Sequence, residues 1–182
     1  MAYWLVMMSE ENYRYTIENG VYGLPGGLIK LKDRIKPGDR LVVYIFKDGC
    51  SELCQSFVAV LEVTGEWRKS NKPMWPDEVR EGNVRYPWVI NVKPIAVGKV
   101  NFNDVKDELS RILHRNIDNP GKLRVHMMRE LPSSVGELIE GRLRVRAEAG
   151  GALGRLSLAM PSSSTWLRIL GSGLALGLKP NT

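Results

Sequence analysis

The run IKPGDRLVVYIF, residues 35–46, constrains the fold more than any other stretch of this chain. Pro37-Gly38 presets a turn, since proline fixes one backbone angle and glycine accepts a left-handed one without steric cost. Arg40 to Phe46 then reads as a strand, because its β-branched and aromatic side chains suit a pleated surface. Asp48-Gly49 opens the next loop, and FVAVLEV, Phe57 to Val63, is again too β-branched to prefer a helix. Tyr3 to Met8 reads as a buried first strand rather than a signal peptide, since it has neither a basic lead-in nor a cleavage site. Tyr86 to Val92 reads as another strand, closing at Lys93-Pro94, and Arg124 to Met128 as a last one.

Helices fill the gaps. Ser9-Glu10-Glu11-Asn12 is a helix start, with Ser9 capping free amides and two acids opposing the positive end of the dipole. That helix should run to about Glu18 and stop at Asn19-Gly20, which suits a left-handed cap. Val21 to Gly27 follows as a short extended piece and a flexible glycine turn. Asn103 or Asp104 can cap a helix through His114 that carries Val105, Leu109, Ile112 and Leu113 on one face. Ser134 and Glu137 have capping-box spacing for a helix through about Val145. Several strands with a helix after the first and more near the end imply an α+β fold, an open β-barrel with flanking helices. Residues 1–146 read as one domain and 147–182, rich in Gly, Ser, Ala and Leu, as an appended tail. No apolar stretch approaches the roughly 20 residues that span a membrane, so a cytoplasmic chain without a membrane partner is expected.

Loud catalytic signals are missing: there is no phosphate loop, no dinucleotide fingerprint and no nucleophile elbow. Cys50 and Cys54 are the only cysteines, and His114 and His126 stand outside any ligand spacing, so no metal or cofactor is expected. A local Cys50–Cys54 bridge is geometrically possible, but two structural thiols at a hairpin tip are the favoured reading. His126 reads as a structural histidine. The net charge of +6 suits an anionic partner, nucleic acid first.

The quieter signal is aromatic. Trp4 and Trp88 fall inside strands and belong to a core, and Trp67 ends a strand. Tyr22, in NGVYGLPGG, and Trp75, in KPMWPDE, sit instead in Gly/Pro-bounded segments where neither helix nor strand is well supported. Two such rings can clasp a flat heterocycle across a barrel mouth, or one can merely plug the barrel end.

The blocks YWLVMMSEENY, NGVYGLP, IKPGDRLVVYI, FVAVLEVTGEW, MWPDEVREGNVRYPWVINVKPI and MRELP, in this order over residues 2 to 145, resemble the EVE-domain proteins of archaea and bacteria. The resemblance implies a PUA-like barrel related to the YTH domains that read methylated adenine. It also implies a nucleic-acid-binding module, RNA or DNA, that holds a flipped and modified base. On it, Tyr22 takes the place of a tryptophan wall of the base pocket and Trp75 resembles the second wall. Ser9 and Asn12 stand near the residues that meet the base edge, and backbone around Met8 and Gly23 adds contacts. Phosphate contacts would fall to Lys30, Lys32, Arg34, Arg80 and Arg85, with Arg142, Arg144 and Arg146 as further candidates. Two rivals remain. One is a hydrolase of modified nucleosides using Lys30 or Lys32 with Thr16 and Glu18. The other is an RNA-binding barrel that grips shape and backbone without a base pocket.

Overall fold

Alternation along the strands explains why they read as uninterrupted apolar runs. In β1 (Tyr3–Met8), Tyr3 and Leu5 face one hydrophobic cluster while Trp4, Val6 and Met8 face another. In β3 (Arg40–Ile45), Val42 and Tyr44 join the first cluster, and Leu41, Val43 and Ile45 the second. A strand covered on both faces has no solvent side to keep polar. The structure, a computed structural model, describes residues 1–127 and 129–154, with 146–154 as backbone.

Its strands form one curled, half-closed sheet in the order β2-β6-β4-β3-β1-β7, in which β1 and β3 are parallel. Here β2 is Val21–Leu24, β4 is Ser56–Val63, β6 is Trp88–Asn101 and β7 is Glu130–Leu131, while the two-residue β5 (Arg68–Lys69) adds to β6. The helices are α1 (Glu10–Asn19), α2 (Pro76–Glu81), α3 (Phe102–Ile112) and α4 (Ser133–Gly154). Val105 and Leu109 of α3 with Val135, Ile139 and Leu143 of α4 close the first cluster. The expected α+β open β-barrel with flanking helices is observed, as a curled half-barrel sheet. Among the described residues, no helix is long and apolar enough to cross a membrane.

Local chemistry places α1 as expected. Ser9 Oγ accepts from the Asn12 amide at 3.3 Å, and Gly20 ends the helix at φ 63°, donating its N–H to Thr16.

Five expectations are corrected. The strand expected to close at Lys93-Pro94 runs on to Asn101, because Pro94 faces Leu61 where the β4–β6 ladder is already irregular and demands less of its missing N–H. The strand expected over Arg124 to Met128 is not found in its described residues: 120–126 wind as a 3₁₀ helix that starts at Pro120, and a short strand follows at Glu130. The glycine turn at Gly26-Gly27 opens a 3₁₀ segment, Gly26–Asp33. Asn101, ahead of Asn103 and Asp104, stands at the cap position of α3. Finally, Cys50 and Cys54 are joined as a disulfide across a Cα–Cα distance of 5.3 Å. Closing so short a loop stabilises the chain by about 2 kcal/mol in the chain-entropy picture. Helix α4 runs to Gly154, and the rest of the tail lies outside the described residues.

Candidate functional site

Two buried carboxylates each close a loop. Glu78, fully buried in α2, takes Met74 N–H (2.7 Å) and Trp75 N–H (3.2 Å) on one oxygen. Its other oxygen takes Arg85 N–H (2.6 Å) and Tyr86 N–H (2.8 Å). Four backbone donors on one carboxylate fold residues 74–86 into a closed loop. Trp75 is therefore not in irregular chain, as expected, but at the N-cap of α2, with Pro76 as the first helical residue, where its absent N–H costs nothing. Glu10, at the start of α1, does the same for the disulfide loop. It accepts from the amides of Ser51, Glu52 and Leu53 at 2.8–3.0 Å and from Arg14 at 2.7 Å.

Burial alone would raise the Glu10 carboxyl; the Leu53 amide, Arg14 and the Ser51 and Glu52 amides outweigh it and hold the group well below the usual carboxylate range. A depressed folded pKa means this contribution is complete above the ordinary value of 4.5 and disappears as pH falls through the folded one. Glu10→Gln should accordingly lose about 2 kcal/mol at pH 7. Denaturant titrations at successive pH values check the sign: the gap between wild type and variant should narrow below pH 4.5.

Between α1, β2, the start of β1's exit and the 74–86 loop lies a cavity of about 510 Å³, within the range of small-ligand sites. All six expected base-binding residues line it: Met8, Ser9, Asn12, Tyr22, Gly23 and Trp75. Its walls are closely made. Tyr22 is 5% and Trp75 2% exposed, so they form its closed end rather than two free plates. The Trp75 indole N–H donates to Thr16 Oγ1 at 3.3 Å, and its ring lies 5.6 Å from Tyr15, tilted, and 5.2 Å from Tyr86, edge-on. Tyr22 meets Trp67 edge-on at 6.4 Å, and burial pushes its phenol well above the usual range. Gly23 is where the backbone comes closest: a Cβ there would stand 2.5 Å from Trp75 Cη2 and 2.6 Å from Tyr86 Cβ.

The polar edge of the cavity has a defined sense. Tyr86 Oη donates its one proton to Asp77 Oδ2 at 2.8 Å, because a carboxylate oxygen accepts. The Asn12 contact to the same hydroxyl, 3.0 Å, must then be donated by the Asn12 amide nitrogen. That leaves Asn12 Oδ1, in a side chain only 5% exposed, buried and without a partner. Tyr86 and Asp77 were not expected here. Tyr86 read as part of a strand, and only its placement by Glu78 brings it to the cavity.

The expected phosphate contacts separate. Arg80 and Arg85 line the mouth but are ion-paired, Arg80 with Glu11 at 2.5 Å and Arg85 with Glu81 at 2.5 Å. Lys30, Lys32 and Arg34 lie outside the lining, on or just after the 3₁₀ segment. Lys32 pairs with Asp33 and sits 5.2 Å over the Trp88 ring, while Arg34 covers Trp4 at 4.9 Å. Arg142 pairs with Glu108 and Arg144 with Glu140; the Arg146 side chain lies outside the described residues. The hydrolase residues are not gathered: Thr16 lines the cavity with its hydroxyl bound to Trp75, but Lys30, Lys32 and Glu18 do not line it.

Comparison with known proteins places this geometry. The UPF0310 protein PH1033 of Pyrococcus horikoshii is 31% identical over 151 residues, covering 77% of this chain and 97% of its own. Among solved structures, the Pho92 YTH domain in complex with m6A superposes with a TM-score of 0.57 at 17% identity, over 79% of this chain and 86% of that one. The YTH domain of Zygosaccharomyces rouxii MRB1, in complex with N6-methyladenosine RNA, gives 0.54 at 15%, with the same coverage of both chains. At such identities the likeness is one of fold. The EVE domain family model matches residues 2–139, and with it the chain belongs to the EVE-domain family.

Proposed function

We propose that this protein is a nucleic-acid reader that accepts a single flipped, methylated base in the cavity between α1 and the 74–86 loop. The observation that carries the reading is the partnerless Asn12 Oδ1. A buried acceptor left unpaired costs about 1–3 kcal/mol, so the site is built for a guest that brings an N–H donor to it. An N6-methylated adenine has one such N–H beside its methyl group, and Met7, Met8 and Phe46 supply apolar lining for the methyl. The aromatic end formed by Tyr22, Trp75 and Tyr86 faces a planar ring, while Ser9 and the backbone at Met8 and Gly23 border its edge. The YTH domains of the same fold, solved with N6-methyladenosine and its RNA, support this reading.

Magnitudes limit the substrate. Stacking on aromatics contributes about 1–3 kcal/mol per base, and extruding a base from a duplex costs a few kcal/mol. A single-stranded target is therefore favoured. Burying one methyl adds about 0.8 kcal/mol, a preference of about fourfold over the unmodified base.

The test uses N6-methyladenosine, adenosine and the corresponding RNA and DNA pentanucleotides, titrated calorimetrically. Asn12→Ala should weaken the methylated ligands about tenfold, the worth of one well-made buried hydrogen bond, with little change in melting temperature. Alanine in place of Trp75 or Tyr22 is a poorer probe, since both are buried and the fold would suffer with the site. Equal affinity of wild type and Asn12→Ala for every methylated ligand would rule the reading out.

A further inference from the structure

The apolar wall of the base cavity has a second side. Met7 and Phe46 also line a neighbouring cleft of about 290 Å³, whose other walls are Tyr44, Lys47, Gln55, Asn119 and Arg124, with Asp48 at its edge. Three observations mark it. Tyr44 is completely buried, in a strand whose register with β4 shifts between Val43 and Tyr44, and its hydroxyl has no hydrogen-bond partner. Burial pushes that phenol well above its usual range, so it remains a neutral donor. Lys47 and Arg124 are exposed cations of the cleft, and they outnumber its one carboxylate, Asp48. Gln55 holds a left-handed backbone, φ 50°, which a side chain with a Cβ adopts at a cost.

A buried hydroxyl donor, two cations and two amide side chains suit a phosphodiester oxygen with the polar edge of its nucleotide. The base cavity itself offers no unpaired cation for this, since Arg80 and Arg85 are engaged by Glu11 and Glu81. We propose that this cleft is a second subsite, which holds the sugar–phosphate adjoining the base bound next door. Tyr44 would donate to a phosphate oxygen, and Lys47 and Arg124 would neutralise the charge. The inference rests on the base-site reading, and the two are separable by experiment.

The probes are the free nucleoside N6-methyladenosine, which reaches only the first cavity, and an RNA pentanucleotide carrying it at the centre. Binding is measured from low to moderate salt for wild type, Tyr44→Phe, Lys47→Gln, Arg124→Gln and Asn12→Ala. The first three variants should bind the nucleoside as wild type does and lose about ten- to a hundredfold in pentanucleotide affinity, the worth of one charge-assisted hydrogen bond. Each lysine or arginine change should also flatten the salt dependence by roughly 0.7 in the log–log slope. Tyr44→Phe adds a readout that a structural role would not produce: its melting temperature should hold or rise, because the hydroxyl has no partner to lose. Unchanged pentanucleotide affinity and slope in all three, with Asn12→Ala still defective, overturns the second subsite and leaves the first. Defects in all three with Asn12→Ala unaffected uphold the phosphate cleft and overturn the base site. A wild type that binds neither probe overturns both.

Discussion

Replacing Glu78 by glutamine is expected to cost about 4 kcal/mol of unfolding free energy. The carboxylate accepts four backbone N–H groups, two on each oxygen. An amide keeps one oxygen and turns the other into an NH₂, so two buried donors would face a donor. Each such loss costs about 1–3 kcal/mol, and no water can take its place where Glu78 is fully covered. The damage should be local as well as global. The amides of Met74, Trp75, Arg85 and Tyr86 should exchange with deuterium far faster, and the cavity they shape should lose its form. Glu81→Gln, at the exposed end of the same helix, should stay within about 0.5 kcal/mol of wild type. Chemical denaturation of the two variants gives the comparison. Near-equal stability of Glu78→Gln and wild type would show that this carboxylate does not hold the loop.

The second large effect is expected from one methyl group. Gly23→Ala would place a Cβ 2.5 Å from Trp75 Cη2, 2.8 Å from its Cζ2 and 2.6 Å from Tyr86 Cβ. None of these can retreat easily. The indole is tied to Thr16 and flanked by Tyr15 and Tyr86, and Tyr86 Cβ is fixed by its own backbone amide on Glu78. Either the 74–86 loop lifts or β2 leaves its register with Val89. Overpacking of this kind costs about 3 kcal/mol. Because the displaced groups are the aromatic end of the cavity, the N6-methyladenosine binding proposed above should fall below detection even where the protein remains folded. Near-ultraviolet circular dichroism reports the tryptophan environment and calorimetry the binding. A variant with wild-type spectra and affinity would mean that β2 and Trp75 are not packed as described.

Much of the fold was legible because it is decided by near neighbours. The Ser9 cap, the Asn19-Gly20 stop and the Pro37-Gly38 turn depend on side chains within a few positions of the backbone groups they serve. The β-branched runs of β1, β3 and β4 are likewise recognisable from their own composition. The errors arose where a distant segment decided the outcome. Pro94 stays inside a strand because β4 is irregular opposite it. Cys50 and Cys54 are bridged because Glu10, some forty residues earlier, holds the amides between them in a tight loop. Arg124 to Met127 is the exception: there a near neighbour, Pro120, starts a tight helical turn that outweighs the strand-like alternation.

The candidate site divides in the same way. Tyr22, Trp75, Ser9 and Asn12 were singled out from sequence, and they do border one cavity. What the cavity asks of a guest was not legible. Read alone, the chain determined β1, β3 and β4, the two caps of α1 and its family, since these follow from local propensity and from ordered blocks of residues. Only the tertiary structure decided which polar groups are satisfied. Glu78 finds Arg85 and Tyr86, Glu10 finds Ser51 to Leu53, and Asn12 finds Tyr86 while its oxygen finds nothing. A buried donor or acceptor draws its partner from whatever the fold brings within 3 Å, and sequence distance has no bearing on that.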